Sequence, residues 1–129
     1  MQQSFNKMIT KKQSTSQLTK EAIRVLSLCG FEAWRQNNGG VFDPTKKVFR
    51  ANSSTPGISD ILGYNKRTGV IVAIEIKNGK DKLSNYQERF LAGITKAGGY
   101  IFIVKTMDDL TEIMKQLNGN KNKKGRKAL

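Results

Sequence analysis

The chain has 129 residues, with 23 Lys plus Arg against 10 Asp plus Glu and a formal charge of +13. That length suits one domain able to bury a core without disulfides or a structural metal, and that charge selects polyanionic partners, nucleic acid first and acidic membrane surfaces second. The absence of histidine removes Ser-His-Asp and Cys-His chemistry, His-ligated zinc and His-based nucleases, leaving carboxylates, lysine and hard metal ions for any hydrolysis.

Residues 1–15 are polar and rich in Gln, Ser and Lys, without an apolar signal core, and read as a flexible N-terminal arm. No apolar run approaches the length of a membrane span, so a soluble protein without a membrane partner is expected. Leu18, Ala22, Val25, Leu26 and Cys29 then recur at helical spacing, with Ser16 suited to the N-cap and Gly30 to the stop. Cys29 is the only cysteine; it excludes an intramolecular disulfide and fits a reducing cytoplasm. Glu21 projects from the edge of the apolar helix face, where it either pairs with Arg24 or Lys20 along the helix or reaches toward the sheet. Phe31 to Gln36 alternates as a strand, with Phe31 and Trp34 read as core residues. Residues 37–57 are rich in turn formers, with Lys46 to Arg50 suggesting a short strand inside a long basic loop. Lys46, Lys47 and Arg50 make that loop a candidate DNA surface.

Asp60 to Tyr64 and Val70 to Ile76 are apolar stretches joined by the turn-like Asn65-Lys66-Arg67-Thr68-Gly69, an antiparallel hairpin by pattern. The second stretch, VIVAIEI, is the most apolar run in the chain, and Glu75 and Lys77 interrupt it. Charges rarely enter a buried strand without a reason. A period of two puts Glu75 and Lys77 on one face and Ile74 and Ile76 on the other, and lets Asp60 sit across from Glu75. After a polar loop, Ser84 caps a helix to Ala97 with Tyr86, Phe90, Leu91 and Ile94 on its buried side, ended by Gly98-Gly99. Ser84-x-x-Gln87 has the pattern of a capping box. Tyr100 to Val104 is a further buried strand, Thr106 caps a last helix through Leu117, and the following Lys/Arg/Gly/Asn tail lacks apolar content. The expected organisation is an arm over 1–15, an α/β domain over 16–118 with a small mixed sheet flanked by helices, and a disordered basic tail over 119–129.

Phosphodiester hydrolysis needs an activated water and relief of charge on the reacting phosphorus, and a divalent ion supplies both while carboxylates hold it. Asp60 and Glu75 are the natural ligands. Mg²⁺ or Mn²⁺ takes oxygen donors and keeps several waters, so two carboxylates and the backbone carbonyl of Ile76 between Glu75 and Lys77 suffice. Lys77 on the same face orients or helps to deprotonate the water and offsets transition-state charge.

An Asp followed by Glu-x-Lys on the next strand resembles the PD-(D/E)xK nuclease superfamily. Gly57-Ile58-Ser59-Asp60-Ile61-Leu62-Gly63, Ala73-Ile74-Glu75-Ile76-Lys77 and Ser84 to Leu91 together look like its VRR-NUC branch. Ser59 stands where the superfamily label has proline, as is common in that branch. The resemblance implies a restriction-endonuclease-like core and metal-dependent cleavage of DNA. It also implies stand-alone phage or bacterial proteins that act on branched or junction DNA as homodimers in the cytoplasm. It makes Glu21 a supporting metal ligand, Gln87 a residue facing the site, and Arg35, in Arg35-Gln36-Asn37-Asn38-Gly39, a DNA contact. Two other functions account for the charge: a catalytically inactive nuclease-like adaptor that only binds nucleic acid, and a structural basic protein. The second leaves Glu75 and Lys77 in a buried strand unexplained.

Overall fold

The computed structural model describes residues 14–36, 40–51 and 55–121. Its elements in chain order are helix α1 (Thr15–Leu28), strands β1 (Phe31–Arg35), β2 (Gly40–Asp43), β3 (Val48–Ala51), β4 (Ile61–Asn65) and β5 (Ile71–Ile76), helix α2 (Asn85–Lys96), strand β6 (Tyr100–Val104) and helix α3 (Met107–Lys121). The main sheet has four strands in the order β1-β4-β5-β6. β4 pairs antiparallel with β1 and β5, and β6 lies parallel to β5. A parallel neighbour needs a crossover, and α2 supplies it. This is the α/β fold with a mixed sheet flanked by helices that the sequence leads one to expect.

Alternation along the strands assigns the two faces. Phe31, Ile61, Val72, Ile74, Ile76 and Val104 point one way and join Leu18, Ala22, Val25 and Leu26 of α1 and Leu110, Ile113 and Leu117 of α3 in one buried core. α2 covers the other face over β5 and β6, where Ala73 and Leu91 are buried. Gly99 fits between them: a Cβ there would lie 2.6 Å from Ile71 Cγ2 and 2.7 Å from Ile94 Cγ2. The β4–β5 turn closes on Asn65, whose Oδ1 accepts from the amides of Arg67 at 2.8 Å and Thr68 at 3.0 Å, as an Asx turn does.

Several expectations shift. The α1 N-cap is Ser14, whose hydroxyl accepts from Gln17 N at 3.1 Å, and Ser16 lies within the helix; Ser14-Thr15-Ser16 offers successive cap-competent side chains, and composition does not choose among them. Residues 1–13 of the expected arm lie outside the described residues, and Thr15 is helical. The basic loop holds a β2–β3 hairpin rather than one strand, because the pairing partner Gly40–Asp43 ends in Asp-Pro and reads locally as turn. Helix α3 runs past Leu117 to Lys121, so the start of the expected tail is helical; residues 122–129 lie outside the described residues. At its start the amides of Lys105 and Thr106 donate to Asp109 Oδ2 at 2.7 and 3.0 Å. Tyr86, expected on the buried side of α2, is 57% exposed, and its ring lies 5.9 Å from the Arg89 guanidinium. Phe31 is core at 3% exposure, whereas Trp34 is 43% exposed. Among the described residues no helix is long and apolar enough to cross a membrane.

Candidate active site

The β4–β5 register, Ile61 opposite Ile74, puts Asp60 opposite Glu75. Both ends of Asp60 are held: its carbonyl accepts from Gln36 N at 2.7 Å at the end of β1, and its Oδ2 accepts from Ile76 N at 2.7 Å on β5. Glu75 and Ser59 beside it are fully buried. Burial first, and then the neighbouring Asp60 charge, push the Glu75 carboxyl up to about 8, against the opposing pull of the Lys77 charge. Two carboxylates this close cannot both ionise cheaply unless a cation sits between them. Glu75 Oε2 and Ser59 Oγ are buried without a hydrogen-bond partner, and a buried oxygen left unsatisfied carries a desolvation cost of roughly 1–3 kcal/mol.

Lys77 continues β5, its amide bound to Val104 O at 2.9 Å. Its Nζ donates to Gln87 Oε1 at 2.8 Å, and Gln87 Nε2 donates to Glu75 Oε1 at 3.3 Å. Gln87 Oε1 also accepts from Ser84 N at 2.9 Å, while Gln87 N donates to Ser84 Oγ at 3.1 Å. Gln87 therefore completes the capping box of α2 and bridges Glu75 to Lys77, because an amide oxygen has two lone pairs. Gly57 brings the loop before Asp60 onto this helix end. Its φ is +75°, and a Cβ there would lie 2.3 Å from the carbonyl carbon and oxygen of Tyr86 and 2.6 Å from Gln87 N.

The remaining expected residues fall elsewhere. Glu21 pairs with Arg24 at 4.0 Å and lines a groove with Val25, Met107, Leu110 and Met114 between α1 and α3, on the sheet face away from the Glu75 side chain. Among the described residues no third acidic, His or Cys side chain joins Asp60 and Glu75. Arg35 ends β1 opposite Ile61, exposed at the sheet end that carries Asp60, but on the Ile61 side of the sheet. Lys46 and Lys47 are exposed in the β2–β3 turn, and Arg50 lies on β3. Ser59 and Gly57 stand in the motif, but sequence alone assigns them no role at the site. Their signal was a small residue beside a charge that enters the core.

Buried Glu75 beside half-buried Asp60, a lysine two residues on and a helix-borne glutamine bridging Glu75 to Lys77 form one polar cluster at the start of β4 and the end of β5. The VRR-NUC domain family matches residues 15–108, and the chain belongs to that family of nucleases. Among solved structures the chain is similar to Hjc, a Holliday junction resolvase from the archaeal hyperthermophile Archaeoglobus fulgidus. That similarity has 22% identity and a TM-score of 0.45, covering 70% of this chain and 67% of that one. No curated protein gives a significant sequence match.

Proposed function

We propose that this protein is a divalent-metal-dependent DNA endonuclease selective for branched or junction DNA. The observation that carries the reading is buried Glu75, its Oε2 unsatisfied, beside half-buried Asp60, a donor set that suits a hard cation. Asp60, Glu75 and the Ile76 carbonyl would hold Mg²⁺ or Mn²⁺, and a bound ion of this kind lowers the pKa of water and offsets phosphoryl charge.

The protein's own residues do the rest. Gln87 fixes the Lys77 ammonium beside Glu75, so that the ammonium can orient the attacking water and meet the charge growing on the phosphate oxygens. The excess of 23 basic over 10 acidic residues holds the polyanion near the site, with Arg35, Lys46, Lys47 and Arg50 as the DNA contacts. Selectivity for branched DNA, a homodimer and a cytoplasmic setting in a bacterium or its phage-infected host are what membership of this family supports. The test is cleavage of linear, flap and four-way substrates with Mg²⁺, Mn²⁺ or chelator. Metal-dependent cuts near the branch are expected, and tight salt-sensitive binding with no cleavage under any metal would leave only the adaptor function.

A further inference from the structure

The sheet face that carries Glu75 also carries a partly exposed aromatic pair. Trp34 lies opposite Leu62, Leu62 opposite Ala73, and Tyr64 opposite Ile71, so Trp34, Leu62 and Tyr64 share the face of Ala73 and Glu75. Helix α2 covers this face over β5 and β6 only. Trp34 and Tyr64 stay 43% and 42% exposed, their ring centroids 6.3 Å apart and their planes at 61°. At this tilt the rings do not lie flat on one another, so neither is covered face to face by its partner.

We infer that Trp34 and Tyr64 form a stacking ledge for an unpaired nucleobase next to the cleaved phosphate. The inference rests on the reading of Asp60 and Glu75 as a DNA-cutting centre and names how that centre selects its substrate. Trp34 stands one strand over from Asp60 and two residues along, about 8 Å away from strand spacing and rise, which is about two stacked nucleotide steps. A strand whose phosphate lies on the carboxylates therefore places a neighbouring base over the ledge. In a paired duplex that base is committed to its own stack, whereas at a flap or junction it is free to move onto the ring. The exposed Glu32 carboxylate, opposite Tyr64 on the same face, repels a phosphate but not a neutral base. A second copy of the chain fits the patch poorly. Two aromatic side chains less than half exposed offer about 200 Å², far below the ~800 Å² per partner of a stable interface.

Trp34 is the only tryptophan in the chain, so its emission reports the ledge directly. The full protein is titrated in chelator, with binding followed by anisotropy, using a four-way junction, a flap with an unpaired strand and a fully paired duplex of equal length. The flap and junction should quench Trp34 emission strongly and the duplex weakly. Trp34→Ala should weaken flap binding about tenfold while changing duplex binding little, and Trp34→Phe should recover most of the loss. Equal quenching by flap and duplex, or flap binding that leaves the emission unchanged, would overturn the inference. So would an emission shift that depends on protein concentration and not on DNA, which would assign the face to a second copy. Because no metal or cleavage enters this readout, it is independent of the nuclease assay.

Discussion

Raising the pH in the absence of divalent cations should destabilise the protein through Glu75. The folded-state carboxyl holds its proton up to about 8, against an ordinary value of 4.5, so the folded chain binds more protons than the unfolded chain throughout that window. The contribution is fully present below 4.5 and lost as pH rises through 8. At ~1.36 kcal/mol per unit the loss between about pH 5 and about pH 8 comes to roughly 3.5 kcal/mol. For a chain of 129 residues that is a fall in Tm of roughly 10–15 °C. The assay is thermal unfolding of wild type and Glu75→Gln in chelator across this range, because other groups titrate equally in both and the neutral amide removes only the Glu75 share. The wild-type curve should fall relative to the variant as pH rises. Mg²⁺ at tenfold its Kd should return about 1.4 kcal/mol near pH 8, in wild type alone. Parallel curves for the two proteins, or equal rescue of both by Mg²⁺, would refute the buried-carboxylate reasoning.

Lys77→Met should lower the single-turnover cleavage rate by about two orders of magnitude or more, on the scale of losing one electrostatic donor, with little change in metal affinity by calorimetry; equal rates would remove Lys77 from the chemistry. Gly57→Ala introduces a Cβ 2.3 Å from the Tyr86 backbone at a positive φ and should cost about 2 kcal/mol or more in urea unfolding. It should also weaken Mg²⁺ binding, since the displaced loop carries Asp60. Glu21→Gln tests the placement of that carboxylate in the α1–α3 groove: metal affinity and cleavage should stay within about twofold of wild type, and a loss as large as that of Asp60→Ala would place Glu21 at the metal.

The hairpin and its charges were legible because alternation in VIVAIEI is a local property, and the register followed from a turn whose Asn65 and Gly69 could be recognised. The convergence of Asp60 with Glu75 came from that register. Gln87 was ambiguous in sequence because a capping box and a site contact use the same residue, and only the path of α2 across β5 shows that both hold. The misplacement of Glu21 has the opposite origin. Helical periodicity gives its angle around α1 but not which neighbour, sheet or α3, lies along that angle. Aromatic residues on alternating strands are usually core, which is the expectation for Trp34, yet β1 is an edge strand and among the described residues no helix covers its second face. Which face a helix covers depends on the crossover, which lies beyond any local pattern.

The central claim, that Asp60 and Glu75 form a metal-dependent DNA-cutting centre, meets its most direct test in single-turnover cleavage of a four-way junction by purified Asp60→Ala and Glu75→Ala with saturating Mg²⁺ or Mn²⁺, alongside DNA binding in chelator. Loss of cleavage in both variants with the junction still bound at wild-type affinity or tighter is the predicted result. Cleavage by either variant at the wild-type rate would contradict it.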